Sequence, residues 1–150
     1  MSEDQIIEVL LVEDNPNDAE LALRALRKHH LANSIIHVED GAEALDFVYA
    51  RNAYAGRNKF NRPKLILLDL KLPKVDGQEV LRALKADADL RSIPVVILTT
   101  SREECDVMSS YQNGVNSYIV KPVDFSKFVD AIRQLGLYWL LINEPPVAGH

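Results

Sequence analysis

The sequence lacks the features of a secreted, membrane-bound or nucleic-acid-binding protein. Cys105 is the only cysteine among 150 residues, so no disulfide bond can form within the chain. No apolar run is long enough to cross a bilayer, and the first residues, MSEDQII, are too polar and acidic for a signal peptide. The formal net charge of −5 gives no attraction to nucleic acid or to an anionic membrane. We therefore expect a cytoplasmic protein with no nucleic-acid or membrane partner.

Motifs of several ligand-binding classes are also absent. The pattern G-x-x-x-x-G-K-[ST], which cradles nucleotide phosphates, does not occur. No segment has the pattern of a helix-turn-helix, a zinc finger or a basic tail. A flavodoxin-type cofactor site needs a loop rich in Ser, Thr and Gly after the first strand, where this chain has the acidic VEDNPND. These absences argue against a nucleotide hydrolase, a DNA-binding protein and a flavin carrier.

Short apolar segments alternate with helical patterns along the whole chain. With 47% apolar and 26% charged residues, residues 1–150 have the composition of one ordinary globular domain. Five segments rich in Val and Ile predict buried strands, and they cover residues 8–12, 34–38, 64–68, 94–98 and 117–120. Asn15 and Pro16 have the cap and first-turn chemistry of a helix start. Further helices are predicted over residues 43–49, 78–86, 103–113 and 124 to about 143, with Gly114 and Pro145 as stop signals.

This order is a βα unit repeated five times. Such alternation predicts an α/β fold with a doubly wound, five-stranded parallel sheet and helices on both faces. For five strands the flavodoxin-like order 2-1-3-4-5 is the common solution, and function then lies beyond the carboxyl ends of strands 1 and 3.

Chemically active side chains stand at those strand ends. Glu13 and Asp14 follow strand 1, Asp69 follows strand 3, and Thr99 and Lys121 follow strands 4 and 5. Three converging carboxylates would raise one another's pKa values, and a cation would relieve the repulsion. Carboxylate oxygens with room for water suit Mg²⁺. The set fits phosphoryl transfer, with Asp69 as nucleophile, the Lys121 ammonium on a phosphoryl oxygen and the Thr99 hydroxyl as a further donor.

Four motifs in this order resemble the receiver domain of two-component response regulators, over essentially the whole chain. They are VEDN, LLDLKLPKVDG, ILTTS and YIVKP, each at a predicted strand end. The resemblance implies that Asp69 is the phosphoacceptor for a sensor histidine kinase. It also implies that Asp14 binds Mg²⁺ directly, Glu13 binds it mainly through water, and the backbone carbonyl of Lys71 is a third ligand. Position 71 is often Asn in that family, so the lysine here leaves the lifetime of the phosphate open.

The same resemblance implies a conformational switch. Thr99 would move toward the phosphoryl group and Tyr118 would swing inward with it, while Lys121 binds the phosphoryl oxygens. The Lys121–Pro122 peptide bond would be cis. Catalysis would be limited to the domain's own phosphorylation and slow dephosphorylation, so we do not expect an enzyme.

A narrower resemblance concerns the loop over residues 50–63 and the tail LYWLLINEPP. Both segments resemble those of the small response regulators that pair with bacterial and cyanobacterial phytochromes. The resemblance implies a single-domain protein that tends to dimerise through its last helix and tail. A helix that is apolar all round needs burial on every side. We therefore expect an extension over about residues 136–146 to form a homodimer interface, or else to fold back on its own domain. The predicted interface residues are Leu137, Tyr138, Trp139 and Leu141.

Two other functions stay open at this stage. An aspartyl-phosphate phosphatase on a related fold would carry D-x-D after the first strand and a cap domain, and neither is found here. A receiver-like scaffold that is never phosphorylated needs only the fold, and the complete acceptor set argues against it.

Overall fold

A five-stranded parallel sheet forms the centre of the molecule. The computed structural model describes residues 9–28, 34–103 and 117–137. The strand order is β2-β1-β3-β4-β5, which confirms the predicted fold. The strands are β1 (Val9–Val12), β2 (Ile35–Val38), β3 (Leu65–Asp69), β4 (Val95–Thr99) and β5 (Ser117–Val120). β3 and β4 each extend one residue beyond the predicted strands, so Asp69 and Thr99 are held by the sheet itself.

Four α-helices in the described part of the chain each come after a strand, and each begins with a side-chain N-cap. An Asn or Asp side chain accepts a hydrogen bond from the backbone N–H three residues later, which satisfies one donor of the first turn. The helices are α1 (Pro16–Lys28), α2 (Gly41–Tyr49), α3 (Gly77–Ala86) and α4 (Phe125–Leu135). Their caps are Asn15, Asp40, Asp76 and Asp124, with N···O distances of 3.1, 2.7, 2.9 and 2.8 Å. A short 3₁₀ helix, Asn52–Tyr54, lies in the long loop after α2.

The C-terminal helix is shorter than the sequence pattern predicts. A continuous helix to about residue 143 is wrong, because α4 ends at Leu135 and Gly136 takes the left-handed conformation with φ 72°. The N–H groups of Gly136 and Leu137 then bond to the carbonyls of Arg133 and Ile132. In the sequence, the apolar residues after Gly136 continue the hydrophobic pattern, so the glycine does not stand out as the end of the helix. The predicted helix over residues 103–113 lies outside the described residues, apart from its first residue.

Two apolar layers cover the two faces of the sheet. One layer packs α2 and α3 against the sheet, with Phe47, Leu81 and Leu84 at its centre. The other packs α1 and α4 against the opposite face, with Leu26 and Phe128 fully buried. Every residue of β1, β3 and β4 is buried, as the continuous apolar runs predict. Within the described ranges, no helix combines the length and apolar character that crossing a membrane requires.

Candidate functional site

An acidic pocket lies at the carboxyl edge of the sheet. β1 and β3 pair with Val12 opposite Leu68, so Glu13 and Asp69 emerge side by side at the next position. The backbone N–H of Glu13 still bonds to the carbonyl of Val38 at 3.1 Å, which fixes its direction. Each of Glu13, Asp14 and Asp69 has a carboxylate oxygen within 4.8 Å of the other two. The structure thus brings together the three carboxylates that the sequence analysis selects.

The three carboxylates differ in exposure. Glu13 and Asp69 are buried, with 1% and 5% of their surface exposed, whereas Asp14 is open to solvent at the mouth of the pocket. Burial, together with the neighbouring Asp69 carboxyl, raises the pKa of Glu13 well above its usual value, although the contact with Lys121 opposes this. The pocket therefore favours the protonated form of Glu13 until a cation replaces the proton.

The Lys121 ammonium is the positive charge at the centre of this pocket. Its Nζ atom lies 2.7 Å from Glu13 Oε1, 2.8 Å from Asp69 Oδ2 and 3.2 Å from Asp18 Oδ2. Burial disfavours the ammonium, but the hydrogen bonds that it donates to Asp69 and Glu13 outweigh this and raise the pKa of Lys121 above its ordinary value. A permanently charged lysine therefore links the carboxyl groups.

Asp18 is a member of this site that sequence reasoning missed. It lies in the first turn of α1, where an acidic residue is normally explained by the helix dipole. Its place in the first turn of α1 was the only signal that the sequence carried. Its contact with Lys121 joins residues 103 positions apart, so only the folded chain reveals it.

The Asp69 carboxylate is held at both oxygens. Oδ2 accepts from Lys121, and Oδ1 accepts the backbone N–H of Lys71 at 3.1 Å. The loop after β3 closes against it, since the N–H of Gly77 bonds to the carbonyl of Leu70 at 3.0 Å. A Cβ atom at residue 77 would lie 2.3 Å from the Asp69 carbonyl oxygen, so only glycine fits there. The proposed role of the Lys71 carbonyl stays a prediction.

The two predicted switch residues lie on neighbouring strands. Thr99 is buried, its hydroxyl accepts the N–H of Ser101 at 3.2 Å, and its carbonyl accepts the N–H of Lys121 at 2.7 Å. Tyr118 is half-buried, pairs with Ile97 in the sheet and packs against the layer formed by α2 and α3. The structure thus brings Thr99 to the site and puts Tyr118 one strand away. Their switching role stays a prediction.

Of the four predicted dimer residues, Leu137 is the one that lies within the described part of the chain. Leu137 is half-buried against the layer formed by α1 and α4 of its own domain. Tyr138, Trp139 and Leu141 lie outside the described residues.

The Lys121–Pro122 peptide bond is cis, as the family resemblance implies.

The donor set of the pocket fits a hard divalent cation. Mg²⁺ binds oxygen at 2.0 to 2.1 Å in an octahedron, so ligands on opposite sides are about 4.2 Å apart. Neighbouring ligands are about 3 Å apart, so carboxylate oxygens within 4.8 Å of one another need to close by up to about 2 Å, which is within the reach of side-chain rotation. Glu13, Asp14 and Asp69 could therefore hold such an ion without rearrangement of the sheet.

The family model of the response regulator receiver domain matches residues 9–133. The chain belongs to this family. Receiver domains bind a divalent metal in their acidic pocket and partner with sensor histidine kinases. Members of the family are signalling regulators rather than enzymes in the usual sense. The chain is accordingly a receiver domain of a two-component response regulator.

Two curated relatives align with nearly the whole chain. The probable methanogenesis regulatory protein FilR2 of Methanothrix harundinacea is 42% identical over 145 residues, which is 97% of this chain and 90% of that protein. Response regulator Rcp1 of Synechocystis is 39% identical over 140 residues, which is 93% of each chain.

Solved structures extend this likeness to three dimensions. The bacteriophytochrome response regulator RtBRR has a TM-score of 0.87 and 51% identity, over 95% of this chain and 85% of that one. The Mn²⁺-bound form of Rcp1 has a TM-score of 0.71 and 38% identity, over 94% and 99% of the two chains. The phosphorylated cyanobacterial phytochrome response regulator RcpA has a TM-score of 0.72 and 38% identity, over 95% and 100%.

Proposed function

We propose that this receiver accepts a phosphoryl group on Asp69 from a phytochrome-type sensor histidine kinase and then changes its conformation or its partners. The observation that carries the proposal is the contact of 2.8 Å between the Lys121 ammonium and Asp69 Oδ2 in a buried pocket. An ammonium at this distance from Asp69 can bind an oxygen of the phosphoryl group once that group is attached to Asp69. RtBRR, a bacteriophytochrome response regulator, and RcpA, a cyanobacterial phytochrome response regulator, support the choice of kinase.

The chemistry is a transfer between two nucleophiles. A carboxylate oxygen of Asp69 forms a bond to phosphorus while the bond from phosphorus to a histidine nitrogen of the kinase breaks, and that nitrogen keeps the electron pair. Lys121 must exchange its contact with Glu13 for a phosphoryl oxygen, and Asp18 stays within reach of the same ammonium. The Lys71 N–H holds Oδ1 and so orients the carboxylate before the reaction.

Mg²⁺ is the proposed ion, bound by Asp14, by Asp69, by Glu13 mainly through water and by the Lys71 carbonyl. The Mn²⁺-bound form of Rcp1 supports a divalent ion at such a pocket. When bound, the ion would offset negative charge on the transferring group. The chain would do no more catalysis than this phosphorylation and a slow loss of the phosphate.

The response would follow from a shift between two states of the domain. Thr99 already touches the loop after β4 through Ser101, so a move of its hydroxyl toward the phosphoryl group would pull on that loop. Tyr118 would then fill the space that Thr99 leaves. We further propose a homodimer through residues 136–146, with Leu137, Tyr138, Trp139 and Leu141 at the contact, and a cytoplasmic location.

A native mass spectrum after incubation with Mg²⁺ and acetyl phosphate tests the proposal. We expect one covalent phosphoryl group on the wild type and none on Asp69→Asn. Asp124→Asn is the matched control, because Asn caps a helix as well as Asp does, and it should be labelled like the wild type. The same spectrum reports whether the species is a dimer.

Label on Asp69→Asn would contradict the assignment of the acceptor. The absence of label on every variant would favour an unphosphorylated scaffold instead. A decrease in dimer with Trp139→Ala, without loss of label, would support the proposed interface.

A further inference from the structure

The side chain of Lys127 is directed at the backbone on both sides of Lys121. Lys127 is the third residue of α4, where a lysine on a helix is usually solvated. Here its Nζ atom donates to the carbonyl of Val120 at 2.9 Å and to the carbonyl of Pro122 at 3.2 Å. Hydrogen bonds from a charged donor are roughly twice as strong as neutral ones. The Lys127 ammonium therefore links α4 to the backbone around Lys121.

These bonds complete a set of restraints around one residue. On the sheet side, the N–H of Lys121 donates to the carbonyl of Thr99 at 2.7 Å. On the helix side, Lys127 is itself fixed, because its backbone N–H donates to the cap residue Asp124 at 2.8 Å. The carbonyl groups of Val120 and Pro122, the residues before and after Lys121, are thus tied to the start of α4. The direction in which the Lys121 side chain leaves the backbone depends on both ties.

We propose that Lys127 is a positioning residue for the phosphoryl chemistry, acting through Lys121. It touches none of Glu13, Asp14 and Asp69 in the described contacts, so it does not contribute a ligand or a nucleophile. Its role is to keep the Lys121 ammonium at the place where a phosphoryl oxygen on Asp69 arrives. The inference rests on the proposed function of Asp69 and names a further determinant of it.

The position of Lys127 predicts a selective defect. Without the ammonium, the turn between β5 and α4 can shift, and Lys121 can stay with Glu13 and Asp18. Displacement of a catalytic group by about 1 Å costs up to about a hundredfold in rate. Binding of a phosphoryl analogue and phosphorylation should both suffer, whereas binding of the metal alone should not, because the metal contacts only the carboxylates and their loop.

The test compares Lys127→Met with Lys127→Arg in the full chain. Lys127→Met keeps the length of the side chain and removes both hydrogen bonds, and Lys127→Arg can restore two donors. Beryllofluoride is the analogue, followed by ¹⁹F NMR with Mg²⁺, and Mn²⁺ alone is titrated by electron paramagnetic resonance. The labelling rate with acetyl phosphate is measured in parallel. Arg133→Met, which removes an exposed cation from the same helix, is the matched control.

We expect beryllofluoride affinity and labelling rate to fall by roughly five- to tenfold in Lys127→Met, with unchanged Mn²⁺ affinity. Lys127→Arg should recover most of the loss, and Arg133→Met should behave like the wild type. Wild-type values in Lys127→Met would overturn the positioning role and leave the role of Asp69 intact. An equal loss of Mn²⁺ affinity, or no rescue by arginine, would also overturn it, since either would indicate a general distortion. A wild type that takes no phosphoryl group on Asp69 would overturn both proposals.

Discussion

The acidic pocket and the loop after α2 are both dense in charge, but they are built in different ways. In the pocket, Lys121 meets Asp69 and Asp18 across 52 and 103 residues of sequence. In the loop, which covers residues 50–63, one ion pair reaches forward, from Arg62 to Asp89 at 3.9 Å. The main hydrogen bonds out of the loop reach at most 11 residues back into α2, and they are Tyr54 to Glu43, Arg57 to the Phe47 carbonyl and Arg51 to Asp46. The pocket is thus a product of the whole topology, whereas the loop is mostly a local structure.

The two regions also differ in sign and solvation. Three carboxylates contact one buried ammonium in the pocket, and Asp14 lies within 4.8 Å of two of them, so the charges there depend on one another. The loop carries four cations and no acidic residue. One of them, Arg57, lies 3.9 Å over the Phe47 ring, and burial lowers the pKa of its guanidinium. Lys59 and Arg62 flank the exposed Phe60. We therefore expect changes in the pocket to spread and changes in the loop to stay local.

The largest effect should come from Lys121→Met. Removal of one partner from a buried ionic group leaves the others uncompensated, which typically costs about 3 to 5 kcal/mol. Without metal we expect the free energy of unfolding to fall by about 3 kcal/mol, and we expect Mg²⁺ to restore part of it, because a cation again offsets the carboxylates. Labelling of Asp69 should fall by at least about a hundredfold. Urea unfolding with and without Mg²⁺, and the mass spectrum described above, measure both. Unchanged stability in metal-free buffer would show that the carboxylates do not depend on the ammonium.

A pair of glycine substitutions compares the two regions directly. A Cβ atom at residue 41 would lie 1.7 Å from the carbonyl oxygen of Val75, in the loop that follows Asp69, whereas at Gly56 nothing lies within 4 Å. Gly41→Ala must displace backbone, and we expect a loss of about 2 kcal/mol, as for an overpacked core, with slower labelling of Asp69. Gly56→Ala should change stability by less than about 0.5 kcal/mol and leave labelling unchanged. Thermal unfolding and labelling rates measure the difference between Gly41→Ala and Gly56→Ala. Equal effects of the two substitutions would contradict the expected difference between the pocket and the loop.

Much of the pocket could be predicted because strand ends are easy to find in this sequence. The apolar runs end on Glu13, Asp69 and Thr99, and a parallel sheet brings neighbouring strand ends together. The role of Asp18 could not be predicted, since its partner Lys121 is defined only by the fold. Lys127 was missed for a different reason, because its acceptors are backbone carbonyls only seven and five residues back, and the sequence does not show which way a lysine side chain turns.

The loop and the C-terminus show where pattern reasoning fails. For residues 50–63 the sequence predicts a loop and nothing of its internal structure. Its 3₁₀ helix and its attachment to Phe47 and Glu43 depend on side-chain geometry that has no periodicity. At the C-terminus, the apolar residues that follow Gly136 favoured a continuous helix, and the glycine ended it. A left-handed cap requires one residue, so a hydrophobic pattern averaged over several turns does not reveal it.

The smallest effect, and the one confined to the loop, should come from Tyr54→Phe. The phenol donates to Glu43 Oε2 at 2.6 Å, and its loss should cost about 1 kcal/mol, with no change in the labelling of Asp69. Burial, followed by the hydrogen bond and charge of Glu43, raises the pKa of Tyr54 from 10.0 to about 12. The folded state therefore holds this proton more tightly than the unfolded state. The stability gained from it is complete below pH 10 and is lost as the pH rises toward 12.

Urea unfolding across this pH range measures the difference between the wild type and Tyr54→Phe. The difference should be constant up to about pH 10 and shrink above it. Tyr49→Phe, which removes a phenol from α2 without touching Glu43, shows at neutral pH what the loss of a phenol alone costs. The absence of a difference at every pH would mean that the ring of Tyr54, which packs edge-on against Phe47 at 5.1 Å, holds the loop without help from its hydroxyl. A change in Asp69 labelling would mean that the loop and the pocket are coupled after all, through Glu43 at the start of α2 and the close contact between Gly41 and Val75.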